Sequence, residues 1–280
     1  ISIPRGIENL HVIIANSIKT AGHRPGRMTV VAVLTEPPRP GLVAPRLAAT
    51  SPLTESEAAA LAAAMQRDTL RAVEASGGDL LVNYRPDDLL PDRHVDPDES
   101  AETAVRALAA EALEDPDAAR FEVQVGSTAS ARAGNTITHL LEQEGVQSAA
   151  VVRGDAPLLR RSTVDSAAMN LRTNEVVLGP STDGRVYYAG FTAPIDFEAA
   201  FETPELETLV DGANDAGYDT EFLAMQPTLR TGADLATLVS AIRARWQAGR
   251  VVPEHTATFV VDTGLAVVDG ADGTPTLVRE

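Results

Sequence analysis

The chain has no cysteine and a single lysine, Lys19. Without cysteine there is neither a disulfide nor a thiolate metal site, and the compartment is not decided by this alone. No run approaches the ~18 apolar residues of a membrane span. The apolar run Val12–Ala15 is also far shorter than the ~7–15 residues of a secretory signal core. Basic charge is scarce: 23 Lys and Arg stand against 40 Asp and Glu, for a net charge of −17. Because phosphate-backbone binding needs a basic face, this balance excludes a nucleic-acid groove or an anionic membrane surface as partner. Internal repeats and an evident linker are lacking as well. Three motifs are missing: G-x-G-x-x-G after the first strand, a Walker loop, and the G-x-S-x-G elbow. Their absence removes the common dinucleotide, P-loop and hydrolase readings.

The charge that is present is unevenly placed. Residues 1–27 carry Arg5, Lys19, Arg24 and Arg27 against Glu8 alone, whereas the remainder has 19 arginines against 39 acids. An acidic, lysine-free, alanine-rich body is the composition of a protein made for multimolar salt, where self-repulsion is screened within a few ångströms. The basic 1–27 segment is expected to be mostly disordered, an over-extended gene start. Residues 28–250 are expected to form one α/β domain followed by a C-terminal extension, 251–280, and the protein is expected to be soluble and cytoplasmic.

Thr29–Leu47 organises the rest. Val30, Val31, Ala32, Val33 and Leu34 read as a strand buried on both faces, as in a parallel sheet covered by helices. The proline-rich loop from Glu36 to Leu47 then forbids both helix and ladder. In open α/β sheets ligands bind at the carboxyl ends of strands, so Arg39 and Arg46 in this loop can grip an anion, unless the loop is only a rigid connector. Thr54-Glu55-Ser56-Glu57 is a capping box opening a helix that ends near Gly77-Gly78. The rest alternates. Short strands are predicted at 80–84, 121–125, 148–153, 175–178, 186–191 and 221–225. Helices are predicted near 99–113, 137–144, after Ser162, after Thr203-Pro204, from Thr231, and at 254–259. Val186–Phe191 reads as antiparallel. This alternation predicts a three-layer α/β/α sandwich with a mainly parallel sheet.

Four segments carry a resemblance. Glu36-Pro37-Pro38-Arg39-Pro40-Gly41-Leu42-Val43-Ala44-Pro45-Arg46-Leu47 sits in the frame of a strand-end loop written Lys-x-Pro-x-Pro-Gly-x-Val-Lys-Thr-Arg-Leu. Asp68-Thr69-Leu70, Arg153-Gly154-Asp155-Ala156-Pro157 and Gly179-Pro180-Ser181-Thr182-Asp183-Gly184-Arg185-Val186-Tyr187-Tyr188-Ala189-Gly190 follow in order. Over roughly Thr29–Ile242 the chain resembles the glycosyltransferase-A-type, nucleotide-diphospho-sugar transferase-like family. That family includes arsenosugar-biosynthesis glycosyltransferases and, more distantly, the phospholactate guanylyltransferases.

The resemblance implies a nucleotide-sugar-dependent, glycosyltransferase-like protein whose partner is a nucleotide or nucleotide sugar bound at the 36–47 loop. It also implies a Mg2+ or Mn2+ ion neutralising the leaving diphosphate. Carried over residue by residue, Gly41 and Arg46 touch phosphate, Asp155 is the metal-site carboxylate, and Asp183 faces the acceptor or a second metal position. His255, in the tail, is a further candidate ligand, although a structural role is the simpler reading for it and for His139.

The departures matter equally. Glu36 and Ala44 replace the family lysines. The late acidic metal motif has become Thr228-Leu229-Arg230-Thr231-Gly232-Ala233-Asp234-Leu235, and capping alone explains Asp234. Arg153, Arg185 and Arg230 stand where the family has a small residue, a glycine and a metal-binding aspartate. Three accounts stay open at this level. The arginines replace the cation, pairing with phosphate oxygens; the pocket only binds a nucleotide or a partner protein; or the arginines form surface pairs worth under ~1 kcal/mol each. A nucleotidyltransferase is the other enzymatic alternative.

Overall fold

The computed structural model describes residues 29–270 and 273–280, so the expectation for residues 1–27 lies outside the described residues. A seven-stranded sheet runs in the order β3-β2-β1-β4-β6-β5-β7. Its strands are β1 (Thr29–Thr35), β2 (Asp79–Tyr84), β3 (Arg120–Val123), β4 (Ser148–Arg153), β5 (Val176–Pro180), β6 (Val186–Phe191) and β7 (Thr220–Phe222). Only β6 runs antiparallel to its neighbours, as its sequence predicted. Chain order turns back on itself at β1, which pairs in parallel with β2 on one side and β4 on the other. Leu34 is in register with Arg153, so the loops leaving β1 and β4 emerge side by side. That is the switch point at which open α/β sheets bind ligands.

The helices are α1 (Pro45–Thr50), α2 (Glu55–Glu74), α3 (Ala101–Ala112), α4 (Ala129–Thr138), α5 (Arg161–Asn170), α6 (Glu205–Asp215), α7 (Gly232–Gln247) and α8 (Glu254–Asp262). The period-2 alternation of β1 shows why they form two layers. Val31 and Val33 pack with Leu70, Val73, Val105 and Val164 from α2, α3 and α5. Val30 and Ala32 face Ile137, Leu140 and Leu209, from α4, its π-helical extension His139–Gln143, and α6. Each such fully buried aliphatic side chain contributes about 1.5–3 kcal/mol of transfer free energy.

A third cluster joins Leu47, Leu61 and Met65 to Leu235 and Val239 of α7, Val260 of α8, and Leu265. Leu265 opens the hairpin β8 (Leu265–Asp269) and β9 (Pro275–Arg279). The tail is tied down by Asp68, whose carboxylate accepts bonds from His255 N (3.0 Å), Thr256 N (2.8 Å) and Thr256 Oγ1 (2.6 Å) at the start of α8. Burial pushes the Asp68 pKa up against those hydrogen bonds, which favour the anion. The capping boxes at Thr54/Glu57 and Thr231/Asp234 both form.

Several local expectations are corrected. The helix predicted near 137–144 begins earlier: Thr128 accepts from Ala131 N at 3.0 Å and starts α4 at Ala129. Ser162 does not cap α5, because the helix begins one residue earlier, after Arg160. Pro204 rather than Thr203 precedes the first turn of α6. Trp246, near the end of α7, is 58 % exposed. The hairpin β8–β9 was not legible in a stretch that reads as polar turn material.

Candidate functional site

A cleft of ≈ 400 Å³ opens at the carboxyl ends of β1 and β4, within the ~300–1,000 Å³ range of small-molecule sites. Its apolar floor includes Leu34, Ala129, Ala133 and Phe201. Around that floor stand four arginines, Arg46, Arg132, Arg153 and Arg230, against two acids, Glu36 and Asp155. In a chain of net charge −17, this is a local reversal of sign.

The loop after β1 builds one wall. It is a compact turn, in which Arg39 O accepts from Leu42 N at 3.1 Å and Val43 N at 3.3 Å. Gly41 takes φ +74°, in the left-handed region that glycine enters without cost. Ala44 takes φ 49° as the residue before α1, a conformation that costs an L-residue roughly 1–2 kcal/mol. These two left-handed residues turn the chain so that Pro45 and Arg46 line the cleft.

Gln66 of α2 ties the loops together. Its Oε1 accepts from Glu36 N at 3.1 Å, and its Cγ lies 2.6 Å from where a Cβ on Gly154 would sit. The glycine is required by that close approach. Glu36 pairs with Arg85 at 3.1 Å.

The second wall is a network of four ionic side chains. Glu205, at the first turn of α6, is 3 % exposed and accepts from Arg153 Nη1 at 2.8 Å. Its other oxygen accepts from Val186 N at 3.1 Å. Arg230 Nη2 lies 3.9 Å from the same Glu205 Oε1, while its Nε lies 3.4 Å from Asp155 Oδ2. Arg153 Nε is 3.6 Å from Asp155 Oδ1. Burial by itself lowers the Arg153 pKa, but Asp155 and Glu205, with Glu36 further off, more than offset it and hold the guanidinium above its ordinary value.

Arg46 and Arg132 differ from this pair, since neither has an acidic partner among the described residues. Burial and the neighbouring Arg85 lower the Arg132 pKa, with Glu36 opposing.

The cleft therefore gathers Arg46, Arg153, Asp155 and Arg230 of the sequence-predicted residues and leaves out the others. Arg39 anchors the 85–99 segment, donating to Asp87 Oδ1 (3.1 Å), His94 O (2.6 Å) and Glu99 O (2.5 Å). Gly41 shapes the loop without lining the cleft. Arg185 is buried and closes its own turn through Thr182 O and Asp183 Oδ2. Asp183 is 75 % exposed beside it, so neither of the two reaches the cleft. His255 is held by its backbone to Asp68 and does not line the cleft either. Asp234 accepts from Arg230 N at 3.0 Å and Thr231 N at 2.9 Å, the capping role its spacing gave it.

Two functional residues were missed. Arg132 lies between the strand predicted at 121–125 and the helix predicted near 137–144, in a stretch given no element by the sequence. Glu205 carried a faint signal, an acid in a first helical turn, but nothing local told of its partners.

The residues at Asp155 do not fit a divalent cation. Such an ion needs several oxygen ligands at about 2.0–2.6 Å, and here Asp155 Oδ2 accepts from Arg230 Nε. Among the described residues Oδ1, buried without a hydrogen-bond partner, lies 3.6 Å from Arg153 Nε with no second carboxylate beside it in the cleft. Elsewhere, Glu122, His139 and Glu144 bring ligand atoms within 4.8 Å of one another. Arg120 bonds both carboxylates, and none of the three lines the cleft.

Residues 95–205 match DUF2064, a family described as uncharacterized protein conserved in bacteria. No curated protein matches the chain. Among solved structures, the chain is similar to a candidate nucleotide-diphospho-sugar transferase from Desulfovibrio desulfuricans G20, with TM-score 0.68 and 18 % identity over 85 % of this chain and 96 % of that one. A cytidylyltransferase from Leptospira borgpetersenii aligns with TM-score 0.46 and 9 % identity, over 85 % and 95 % of the two chains. A mannosyltransferase from Pyrobaculum calidifontis, solved with GDP-Man and Mn2+, aligns with TM-score 0.43 and 13 % identity, over 90 % and 75 %. The seven-stranded, mostly parallel sheet with its two helical layers is the nucleotide-diphospho-sugar transferase-like fold.

Proposed function

We propose that this cleft binds the diphosphate of a nucleotide or nucleotide sugar and that the protein is a nucleotide-sugar-dependent, glycosyltransferase-like protein. The observation that carries the reading is the pair of unpartnered guanidiniums, Arg46 and Arg132, at the β1/β4 switch point of an otherwise acidic molecule. A guanidinium meets a phosphate with two parallel hydrogen bonds, shorter and stronger than neutral ones. In a partly dry cleft, cations stabilise charge developing on a leaving diphosphate more than they do in water. The apolar floor of Leu34, Ala133 and Phe201 suits the less polar part of such a ligand.

A second reading has its own support. Asp155 has two arginines beside it, one of them hydrogen-bonded to its Oδ2, which favours a relative that binds without transferring.

Calorimetry in concentrated KCl with UDP-, GDP- and CDP-sugars tests the binding, and release of free nucleoside diphosphate from the tightest ligand tests transfer. Saturable binding that weakens tenfold or more in Arg46→Ala is expected. Absence of binding by every nucleotide tried overturns the proposal. Binding without turnover on any acceptor selects the second reading, and pyrophosphate released when a nucleoside triphosphate and a sugar 1-phosphate are supplied instead selects a nucleotidyltransferase.

A further inference from the structure

The disagreement between Asp155 and a metal site has a specific consequence, which rests on the nucleotide reading above. We infer that the site works without a divalent cation, the guanidiniums of Arg153 and Arg230 standing where the ion would be.

Asp155 sits at the end of β4 and is the only carboxylate at that strand end lining the cleft among the described residues; Glu36 belongs to the other loop and pairs with Arg85. An ion bound to Asp155 would lie beside the two guanidiniums already 3.6 and 3.4 Å from its oxygens. Like charges that close repel strongly at the reduced dielectric of a protein cleft. Expelling the arginines is resisted from behind. Glu205, 3 % exposed, holds Arg153 at 2.8 Å, faces Arg230 at 3.9 Å, and is itself fixed by Val186 N. Moving Arg153 away takes from the buried Glu205 its closest cationic partner.

The two arginines are 25 % and 29 % exposed, and both line the cleft. Each guanidinium carries five donors, and the bonds to Asp155 and Glu205 use only part of them. The remaining N–H groups are available to phosphate oxygens. The arrangement has an ion's positional rigidity without its requirement for oxygen ligands.

Two measurements separate this inference from the reading it rests on. In the first, Mn2+ is titrated into the chelator-treated protein alone and followed by electron paramagnetic resonance. No site tighter than about 1 mM is expected, the weak end of protein-bound divalent cations. Arg230→Asp, which removes the blocking cation and adds a second carboxylate, is expected to gain a Mn2+ site at least tenfold tighter. A stoichiometric Mn2+ site in the wild type that disappears in Asp155→Asn overturns the inference.

In the second, affinity for the nucleotide-sugar panel and for inorganic pyrophosphate is compared in EDTA and in Mn2+. Agreement within twofold is expected, as is a tenfold or greater loss in Arg230→Ala that added methylguanidinium partly restores. Arg230→Lys, which keeps the charge and loses the fork, is expected to fall between the two, and it serves if the alanine variant does not fold. Binding that needs Mn2+ overturns the inference and leaves the nucleotide reading standing. No binding of any probe in either condition overturns the nucleotide reading, and with it the arginines' role.

Discussion

Arg230 and Asp155 meet at 3.4 Å across 75 residues of sequence, and the contact joins the start of α7 to the end of β4. The backbone repeats the junction, since Leu229 N donates to Asp155 O at 2.9 Å. The side chains of the cleft wall are thus positioned by main chain that is itself pinned. Where the resemblance places an acidic residue to share a cation with Asp155, this chain places the cation on a covalent arm.

Glu205 is the residue on which this wall depends for stability. Glu205→Ala leaves Arg153 without its closest partner and Val186 N without an acceptor. Breaking a buried pair from one side costs about 3–5 kcal/mol, and the expected effect lies in that range. Glu205→Gln keeps an acceptor for Val186 N and is expected to cost less. Denaturant midpoints in concentrated KCl check the order.

Arg132 predicts the opposite trade. It has no acidic partner, and burial together with Arg85 disfavours its charged form. Arg132→Ala is therefore expected to leave stability unchanged or raise it slightly, while weakening diphosphate binding tenfold or more. Parallel melting and calorimetry separate the two effects, and a destabilised variant with unimpaired binding contradicts the assignment.

Gly154 tests the link between the two loops. A methyl there meets Gln66 Cγ at 2.6 Å, so Gly154→Ala displaces the side chain that receives Glu36 N. Overpacking of this kind costs about 1–3 kcal/mol. Loss of slow hydrogen exchange at the Glu36 amide, with weaker ligand binding, is the expected signature.

The C-terminal hairpin is clipped to the start of α2 by an ion pair. Arg279 Nη1 and Nη2 each lie 2.7 Å from a Glu57 oxygen. The Arg279 hydrogen bond, helped by Thr54, lowers the Glu57 pKa from 4.5 to about 2. A carboxylate with a depressed folded-state pKa contributes stability above its unfolded value and loses it as pH falls through the folded one. The clip is complete above pH 4.5 and lost towards pH 2. The stability difference between wild type and Glu57→Gln is expected to shrink across that window, and a difference that stays constant argues against the clip. The pair is solvent-facing, so salt also weakens it.

The whole molecule carries −17, and we propose that this surface needs salt. The melting temperature is expected to rise between about 0.1 M and about 3 M KCl, where the screening length drops to a few ångströms. A flat profile contradicts this.

How much of this was legible depended on distance along the chain. β1 was readable because five consecutive apolar residues specify a strand covered on both faces. The capping boxes at Thr54 and Thr231 were readable because their hydrogen bonds span three residues. The direction of β6 was readable too, and the helix predicted at 254–259 forms over Glu254–Asp262. The start of α4 was missed because glycine and serine weigh towards a loop, and the Thr128 cap was overlooked. Helical spacing tells which residues share a side, not whether anything covers them, and Trp246 of α7 stays exposed.

The same division runs through the site. Local sequence determined the strand, the proline-stiffened turn and the place of Asp155 at a strand end, since each rests on backbone preferences acting over a few residues. The expectation that 36–47 forbids a helix fails at 45–47, where Pro45, allowed in a first helical turn, opens α1 with Arg46 in it. Only the tertiary structure decided that Arg39 turns away to hold the 85–99 segment and Arg185 to close its own turn, while Arg132 lines the cleft. It alone brought Glu205 beneath Arg153 and Arg230. Charge pairing acts through space at 3–4 Å, and the positions it joins here, 153, 155, 205 and 230, become neighbours only when β4, α6 and α7 pack around one end of the sheet.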